Sequence, residues 1–404
     1  MLTSLSHSKQ KFIFLVGVTA IYTAVVLWLD FLQAPPLWDE GHFLETSSTF
    51  SDRLIPSIDD LKDYGELSTP LPFIIFGAME HLFQQGIFAG RLLNLLLSVG
   101  IVTLIGWPSR EKKERALKCL IGLLLCPYFI WYSALMYTDV IACFLGLMGV
   151  MAYVRDRHWL SSLAFILAIA SRQYLIAFPA AIVTYEFLLA MKRVAHNRRF
   201  RLSEQWRWLA PLLAALTLLF WFYLFQGLAP ATAIDGGSTP DVQKTTWALM
   251  PGGVINFLAF VGFYLIIPEF IVFWPSQPIK QSLHIWQKQR RKIVLIALGL
   301  LLYQLAFSPV LLGLGSVLKI ANLLPFEFLK LGLFYLLALI ACLRFSRPNL
   351  LSLFVLFNSL IMLKAYPWDK YILPLAVIFW YLKSVDLEEK GYQLSASVKS
   401  KRLG

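Results

Sequence analysis

Charge is scarce in this sequence, and cysteine scarcer still. Asp, Glu, Lys and Arg make up 15% of the 404 residues, against roughly a quarter in soluble globular domains, so the chain lacks the polar surface that water demands. Its four cysteines, Cys119, Cys126, Cys143 and Cys342, all fall in apolar runs. They follow no metal-ligand spacing, which excludes a disulfide framework and a zinc module. No Gly-rich phosphate loop, HExxH pair or GxSxG elbow occurs, which argues against an ATP-driven pump, a zinc protease and an α/β-hydrolase. What the chain has instead is apolar length: 58% of its residues are hydrophobic and its mean hydropathy is +0.65.

A helix that crosses a bilayer needs roughly 20 apolar residues. Apolar runs bounded by charge place spans near 12–32, 87–107, 119–136, 140–154, 159–170, 174–191, 208–225, 247–274, 293–312, 328–343, 350–363 and 371–382. This pattern predicts an all-α, polytopic membrane helical bundle of about 12 transmembrane helices. A single domain covers residues 1–382, and 383–404 form a cytoplasmic tail. The first run follows Lys9 and Lys11, is too long for a signal h-region and meets a poor cleavage site at Ala34-Pro35-Pro36. It reads as an uncleaved signal-anchor.

The formal net charge of +12 does not point to nucleic acid, because the basic residues are dispersed between apolar segments. With a cytoplasmic amino terminus, 27 of the 36 Lys and Arg residues fall on one side, which orients the chain by the positive-inside rule. The longest segment on the other side, 33–86, carries nine acids and only Arg53 and Lys62 as basic residues. Retention of basic residues inside explains most of that imbalance, so position must decide which acids matter. Glu40 to Phe50 and Pro72 to Gln84 read as short helices, the second with Phe73, Ile74, Phe76 and Leu82 suited to lying in the interface. A second outer segment, Gly227 to Thr246, reads as a mobile loop.

The sharpest chemical signal is Trp38-Asp39-Glu40-Gly41-His42, a few residues beyond the first span. A partly desolvated carboxylate pair at the membrane surface can accept a proton. Equally, Asp39 can cap the following helix while Trp38 joins an aromatic belt. His42 is placed to reach a phosphate or that carboxylate, although a lone loop histidine is usually solvated. Arg172-Gln173 joins two apolar runs almost without a loop, and the arginine either snorkels to the interface or faces a polar cavity as an anion ligand. Asp139 closes Tyr137-Thr138-Asp139, where it orients Arg172, meets a sugar hydroxyl or caps the fourth span. Lys364 and Lys370 flank Tyr366-Pro367-Trp368, either to hold a lipid phosphate or to anchor the interface.

These blocks, in this order, resemble a known family. Trp38-Asp39-Glu40-x-His42, Ser68-Thr69-Pro70-Leu71-Pro72, Arg91-Leu92-Leu93-Asn94, Tyr137-Thr138-Asp139 and Arg172-Gln173 are similar to motifs of the endoplasmic-reticulum α-1,2-glucosyltransferases that add the last glucose to dolichol-linked oligosaccharide. The resemblance covers about the first half of the chain. It departs from the family in the Asp-Glu-to-His spacing, in Tyr174-Leu175 where the family has Thr-Asn, and in a carboxyl-terminal block only echoed by Trp368-Asp369-Lys370-Tyr371. The resemblance implies a GT-C membrane glycosyltransferase with its catalytic motif in the first outer loop.

It further implies a donor with the sugar, glucose favoured, on a polyprenyl phosphate, and an extracytoplasmic glycan or lipid-linked acceptor. Asp39 would be general base and Glu40 its support, with Arg172, Gln173, Asp139, Lys370 and His42 around the donor. No metal or other cofactor is required, although the Asp39-Glu40 pair can hold a divalent ion. The expected location is the plasma membrane for a bacterial relative, or the endoplasmic reticulum for a eukaryotic one, with the active site extracytoplasmic. Two rivals share the helix count. A flippase or transporter would show paired half-repeats and charges near the midplane, and a polysaccharide polymerase would carry its large loop late in the chain.

Overall fold

The computed structural model describes residues 6–109, 112–195, 205–236, 239–245, 247–273, 290–311 and 315–387. Most of the tail, and basic residues such as Arg110, Arg198, Arg199, Arg201, Lys280 and Lys288 used to orient the chain, lie outside the described residues, as do Gly237, Ser238 and Thr246 of the second outer loop. Among the described residues every regular element is helical. In chain order they are α1 (His7–Trp28), α2 (Glu40–Thr49), α3 (Ile58–Lys62), α4 (Leu71–Phe83), α5 (Ile87–Gly106), α6 (Lys113–Leu124), α7 (Pro127–Tyr132), α8 (Thr138–Val154), α9 (His158–Ser171) and α10 (Ala177–Ala195). There follow α11 (Trp206–Phe225), α12 (Ala231–Asp235), α13 (Asp241–Lys244), α14 (Gly252–Val261), α15 (Ile267–Val272), α16 (Arg290–Ala306), α17 (Ser316–Asn322), α18 (Glu327–Arg344), α19 (Leu350–Ile361) and α20 (Leu373–Ser384).

Five helical segments among the described residues are long and apolar enough to cross a membrane: His7–Trp28, Ile87–Gly106, Gln173–Lys192, Trp206–Phe225 and Gly252–Val272. Four more, Leu71–Phe83, Thr138–Val154, His158–Ser171 and Leu350–Ile361, are apolar but shorter. The protein is thus an integral membrane protein with a helical bundle. Its centre is α8 against α20, whose residues from Leu373 to Ser384 are all buried. A helix apolar on every side belongs in a core or in lipid. Lipid is the natural surrounding of α1 and α11, which turn Leu15, Val16, Leu213, Leu216 and Phe220 outward.

Two sequence expectations need correction here. The span predicted over 119–136 is not one helix. It breaks after α6 because Pro127 supplies no N–H to the preceding turn and holds Cys126 in an extended conformation. The helix predicted from Pro72 to Gln84 forms as α4, but Phe73 and Phe76 are buried inside the protein, and of its large apolar side chains only Leu82 and Phe83, at its end, stand exposed. The cause is α2, which crosses so closely at Gly77 that a Cβ there would lie 2.7 Å from the Ser47 carbonyl oxygen.

Polar groups gather at two levels. At one, Glu269 of α15 accepts from Lys383 Nζ at 2.6 Å and from Arg344 at 2.9 and 3.0 Å, joining three helix ends that the charge pattern assigns to the same face. At the other stand the residues before α20, α8 and α2. The twelve residues of α20 separate the two levels by about 18 Å at the helical rise per residue.

Candidate functional site

The break after α6 leaves residues 133–137 without a helical ladder, and a membrane interior offers no water to satisfy their backbone. The helix α5 does it instead. Arg91, Asn94 and Ser98, at i, i+3 and i+7, share one face. Asn94 Nδ2 donates to the carbonyls of Leu135 at 2.6 Å and Tyr137 at 2.8 Å, and the Ser98 hydroxyl donates to that of Ser133 at 2.9 Å. The turn thereby presents a ladder of rings, with Tyr132 stacked on Tyr137 at 4.3 Å and Tyr128 edge-on to Tyr264 at 5.8 Å.

Arg91 and Glu40 are both fully buried and pair through Nε–Oε1 at 2.9 Å and Nη2–Oε2 at 2.5 Å. The three other donors of Arg91 go to the carbonyls of Leu32, Ala34 and Pro35. Glu40 fills its two remaining acceptor positions with the N–H groups of Leu37 at 2.9 Å and Met136 at 2.7 Å. Every hydrogen-bonding position of the pair is used. In this structure Glu40, expected from the sequence as the support of Asp39, bonds instead to Arg91 and to the loop N–H groups, and so pins the first loop to α5 and to the tyrosine turn.

Asp39 diverges from its neighbour. Trp38 takes a left-handed backbone (φ 52°), and Asp39 stands at the N-cap position of α2 without capping it through its side chain. Its backbone N–H donates to the Tyr137 hydroxyl at 3.1 Å. Its side chain, 38% exposed, turns toward Lys370, with Oδ2 3.6 Å from Nζ. Lys370 is only 5% exposed. Its ammonium lies 3.6 Å above the centre of the Trp368 ring and 6.0 Å from that of Tyr137. Burial holds its pKa below the ordinary lysine range and the nearby Arg172 lowers it further, while Asp139 and Asp39 offset part of the shift.

The third group is Arg172, at the C-cap of α9. It does not snorkel. Its side chain is 11% exposed, and Nη2 pairs with Asp139 Oδ2 at 2.8 Å. Asp139 is fully buried and its other oxygen accepts from the Tyr174 hydroxyl at 2.9 Å, so this aspartate orients the arginine. Arg172 Nε, also buried, has no hydrogen-bond partner. A buried charge-bearing N–H left without an acceptor is costly and is a ready donor for an anion.

The other expectations divide. Gln173 donates to the Leu67 carbonyl at 2.7 Å and so fixes the first loop. His42 is exposed on α2 and lies within electrostatic reach of Glu66. Lys364 is not beside Lys370: its ammonium donates to the carbonyls of Val242, Thr245 and Ala248 and pins the second outer loop. Asp369 is buried under hydroxyls of Tyr128 and Tyr264 and the Val317 N–H, packed where a side chain on Gly315 (φ 134°) would overlap it. It anchors the turn that carries Lys370. Glu66, one acid among nine in the sequence, joins Asp39, Arg172 and Lys370 in one electrostatic neighbourhood. Nothing local marked it, because tertiary contacts alone bring its loop there. Among the described residues no three His, Cys, Asp or Glu side chains are grouped as metal ligands.

Comparison with known proteins adds the following. A structure of ArnT from Cupriavidus metallidurans bound to undecaprenyl phosphate is similar at 18% identity over 96% of this chain and 63% of that one, with a TM-score of 0.42. The same protein in the apo state aligns at 16% identity over 92% and 78% of the two chains, with a TM-score of 0.37. This chain thus spans about 63% of the length of the first. No curated protein matches the sequence. The family model described as the DIE2/ALG10 family matches residues 75–300, more than half of the chain, including Arg91, Asp139 and Arg172. By that match the chain belongs to the DIE2/ALG10 family.

Proposed function

We propose that this protein is an inverting glycosyltransferase that moves a sugar, glucose favoured, from a polyprenyl phosphate to a hydroxyl of a glycan or lipid-linked acceptor on the extracytoplasmic side. The observation that carries this reading is the convergence of one half-open carboxylate, Asp39, with two buried cations, Lys370 and Arg172. The family match supports the reaction class, and the distribution of basic residues along the sequence supports the side.

In this scheme Asp39 accepts the proton of the acceptor hydroxyl as its oxygen attacks the anomeric carbon. The bond to the phosphate oxygen breaks on the opposite face. A phosphate is already a good leaving group, so stabilising its charge matters more than protonating it. Arg172 supplies the unpartnered Nε–H for that purpose, and Lys370, now shared with Asp39, turns toward the departing oxygens. Asp139 and Tyr174 keep the arginine in place, and Tyr137 and Trp368 wall the ammonium off from solvent.

The test is transfer by purified protein from radiolabelled polyprenyl-phosphate glucose, mannose and arabinose to a panel of acceptors. Removal of Arg172 as Arg172→Ala is expected to raise the donor KM and lower kcat, because the lost contact serves both bound donor and departing phosphate; about 1.5–3 kcal/mol for a charged hydrogen bond is tenfold or more. An unchanged KM and kcat would make Arg172 a structural partner of Asp139 and nothing else.

A further inference from the structure

One carboxyl in this neighbourhood has no assigned work. Glu66 sits between α3 and α4 in a segment that is tied down on both sides. The Tyr64 hydroxyl donates to the Ser68 carbonyl at 2.7 Å, and its ring packs against Phe50, Phe73 and Phe225. Gln173 donates to the Leu67 carbonyl at 2.7 Å, and the Thr69 hydroxyl to that of Ile169 at 2.7 Å. Two of these three ties run to residues on either side of Arg172. The loop is therefore built onto the arginine's own segment, and Glu66 is carried with it.

The other carboxyls of the site are all engaged. Glu40 has Arg91, Asp139 has Arg172 and Tyr174, Asp39 has Lys370, and Asp369 has Tyr128 and Tyr264. Glu66 is half-buried and makes no hydrogen bond or ion pair among the described residues, and Arg172, Asp39, His42 and Lys370 are its charged neighbours. Burial raises its pKa above the ordinary carboxylate range, Arg172 offsets part of that, Asp39 adds to it, and His42 and Lys370 offset it further. A fixed, half-dry carboxyl without a partner is unfavourable unless a ligand completes it.

The charge of that ligand follows from the surroundings. An anion is repelled by the carboxylate itself, and a cation by the neighbouring Arg172 and Lys370. A neutral polyhydroxyl compound meets neither objection, because its hydroxyls can donate to Glu66 and leave the unpartnered Nε–H of Arg172 to the phosphate. Resting on the donor reading above, we propose that Glu66 reads the saccharide of the donor, accepting from its hydroxyls while Arg172 and Lys370 hold the phosphate next to it.

The experiment separates sugar from phosphate. Dissociation constants are measured on the full-length protein in detergent for undecaprenyl phosphate and for the same lipid carrying glucose, mannose or arabinose. The wild type should bind at least one glycosylated lipid more tightly than bare undecaprenyl phosphate. Both Glu66→Gln and Glu66→Ala should lose most of that preference, about tenfold for one hydrogen bond to a carboxyl, with affinity for the bare phosphate unchanged or raised. Arg172→Ala should weaken both ligands together. Retention of the wild-type preference in Glu66→Ala, or no preference for any of the three sugars in the wild type, overturns the inference. Failure of the wild type to bind bare undecaprenyl phosphate has a different meaning: it removes the donor reading itself, and this inference with it. Should the alanine variant not fold, the isosteric glutamine variant decides alone.

Discussion

Glu40→Gln is expected to destabilise the protein by about 3–5 kcal/mol, the range for removing one partner of a buried ion pair, and Arg91→Ala by a similar amount. The reason is the closed network around the pair. Losing the carboxylate charge leaves a fully buried guanidinium with three carbonyls and no counter-ion. It also weakens the acceptors for the Leu37 and Met136 N–H groups, so the first loop and the tyrosine turn loosen together. The loss should be read in thermal unfolding of the detergent-solubilised protein. Replacing both residues by methionine should recover part of it, because an apolar pair of similar volume leaves no charge stranded. A Glu40→Gln protein that melts with the wild type yet transfers no sugar would return Glu40 to the chemistry.

Its neighbour should behave in the opposite way. Asp39→Asn should leave the melting temperature and lipid-phosphate binding near those of the wild type, since the Asp39 side chain caps no helix and its one ion pair is partly open to solvent. Turnover should fall about 100- to 10,000-fold, the usual worth of general-base assistance. Steady-state transfer under saturating donor checks this. The expected signature is a fall in kcat with little change in donor KM, because an amide cannot take the acceptor's proton yet still occupies the same volume beside Lys370. A variant turning over at the wild-type rate would remove Asp39 from the role of base.

The contrast between these adjacent residues marks where sequence reading reaches its limit. Successive side chains at a helix start diverge by about 100°, so an Asp-Glu pair in one motif can serve two unrelated purposes. Only the arginine half a hundred positions away shows which serves which. Arg91 and Asn94 stood in the sequence only as a motif of the resemblance, and their purpose depends on the turn at 133–137 that ends the second part of a predicted span. Pro127 carried the signal for that break. Arg172 and Asp139 were legible because each stands alone between apolar runs, and an isolated charge there needs a partner. Lys364 and Lys370 looked equivalent from composition and are not, since one meets loop carbonyls and the other a carboxylate and an aromatic face. Glu66 was illegible for a plain reason: its loop has no periodicity, and two long-range hydrogen bonds and ring contacts decide where it stands.

The apolar pattern predicted a helical bundle, and the described residues form one, with five segments of spanning length and composition. Several helices of the inner bundle, α8 and α20 among them, are shorter than a full span, and one end of each stops at the polar site: Asp139 stands in the first turn of α8 and Lys370 in the turn just before α20. Irregular backbone survives at that depth only where side chains such as Asn94, Ser98 and Glu40 satisfy it.

The configuration of the transferred sugar tests the central claim most directly. If Asp39 takes a proton and never bonds to carbon, while Arg172 and Lys370 receive the phosphate, the anomeric centre is displaced once, and nuclear magnetic resonance of the product formed by the wild type should show it inverted relative to the donor. A product with the donor's configuration would require a covalent sugar intermediate on a carboxylate, and would contradict the account.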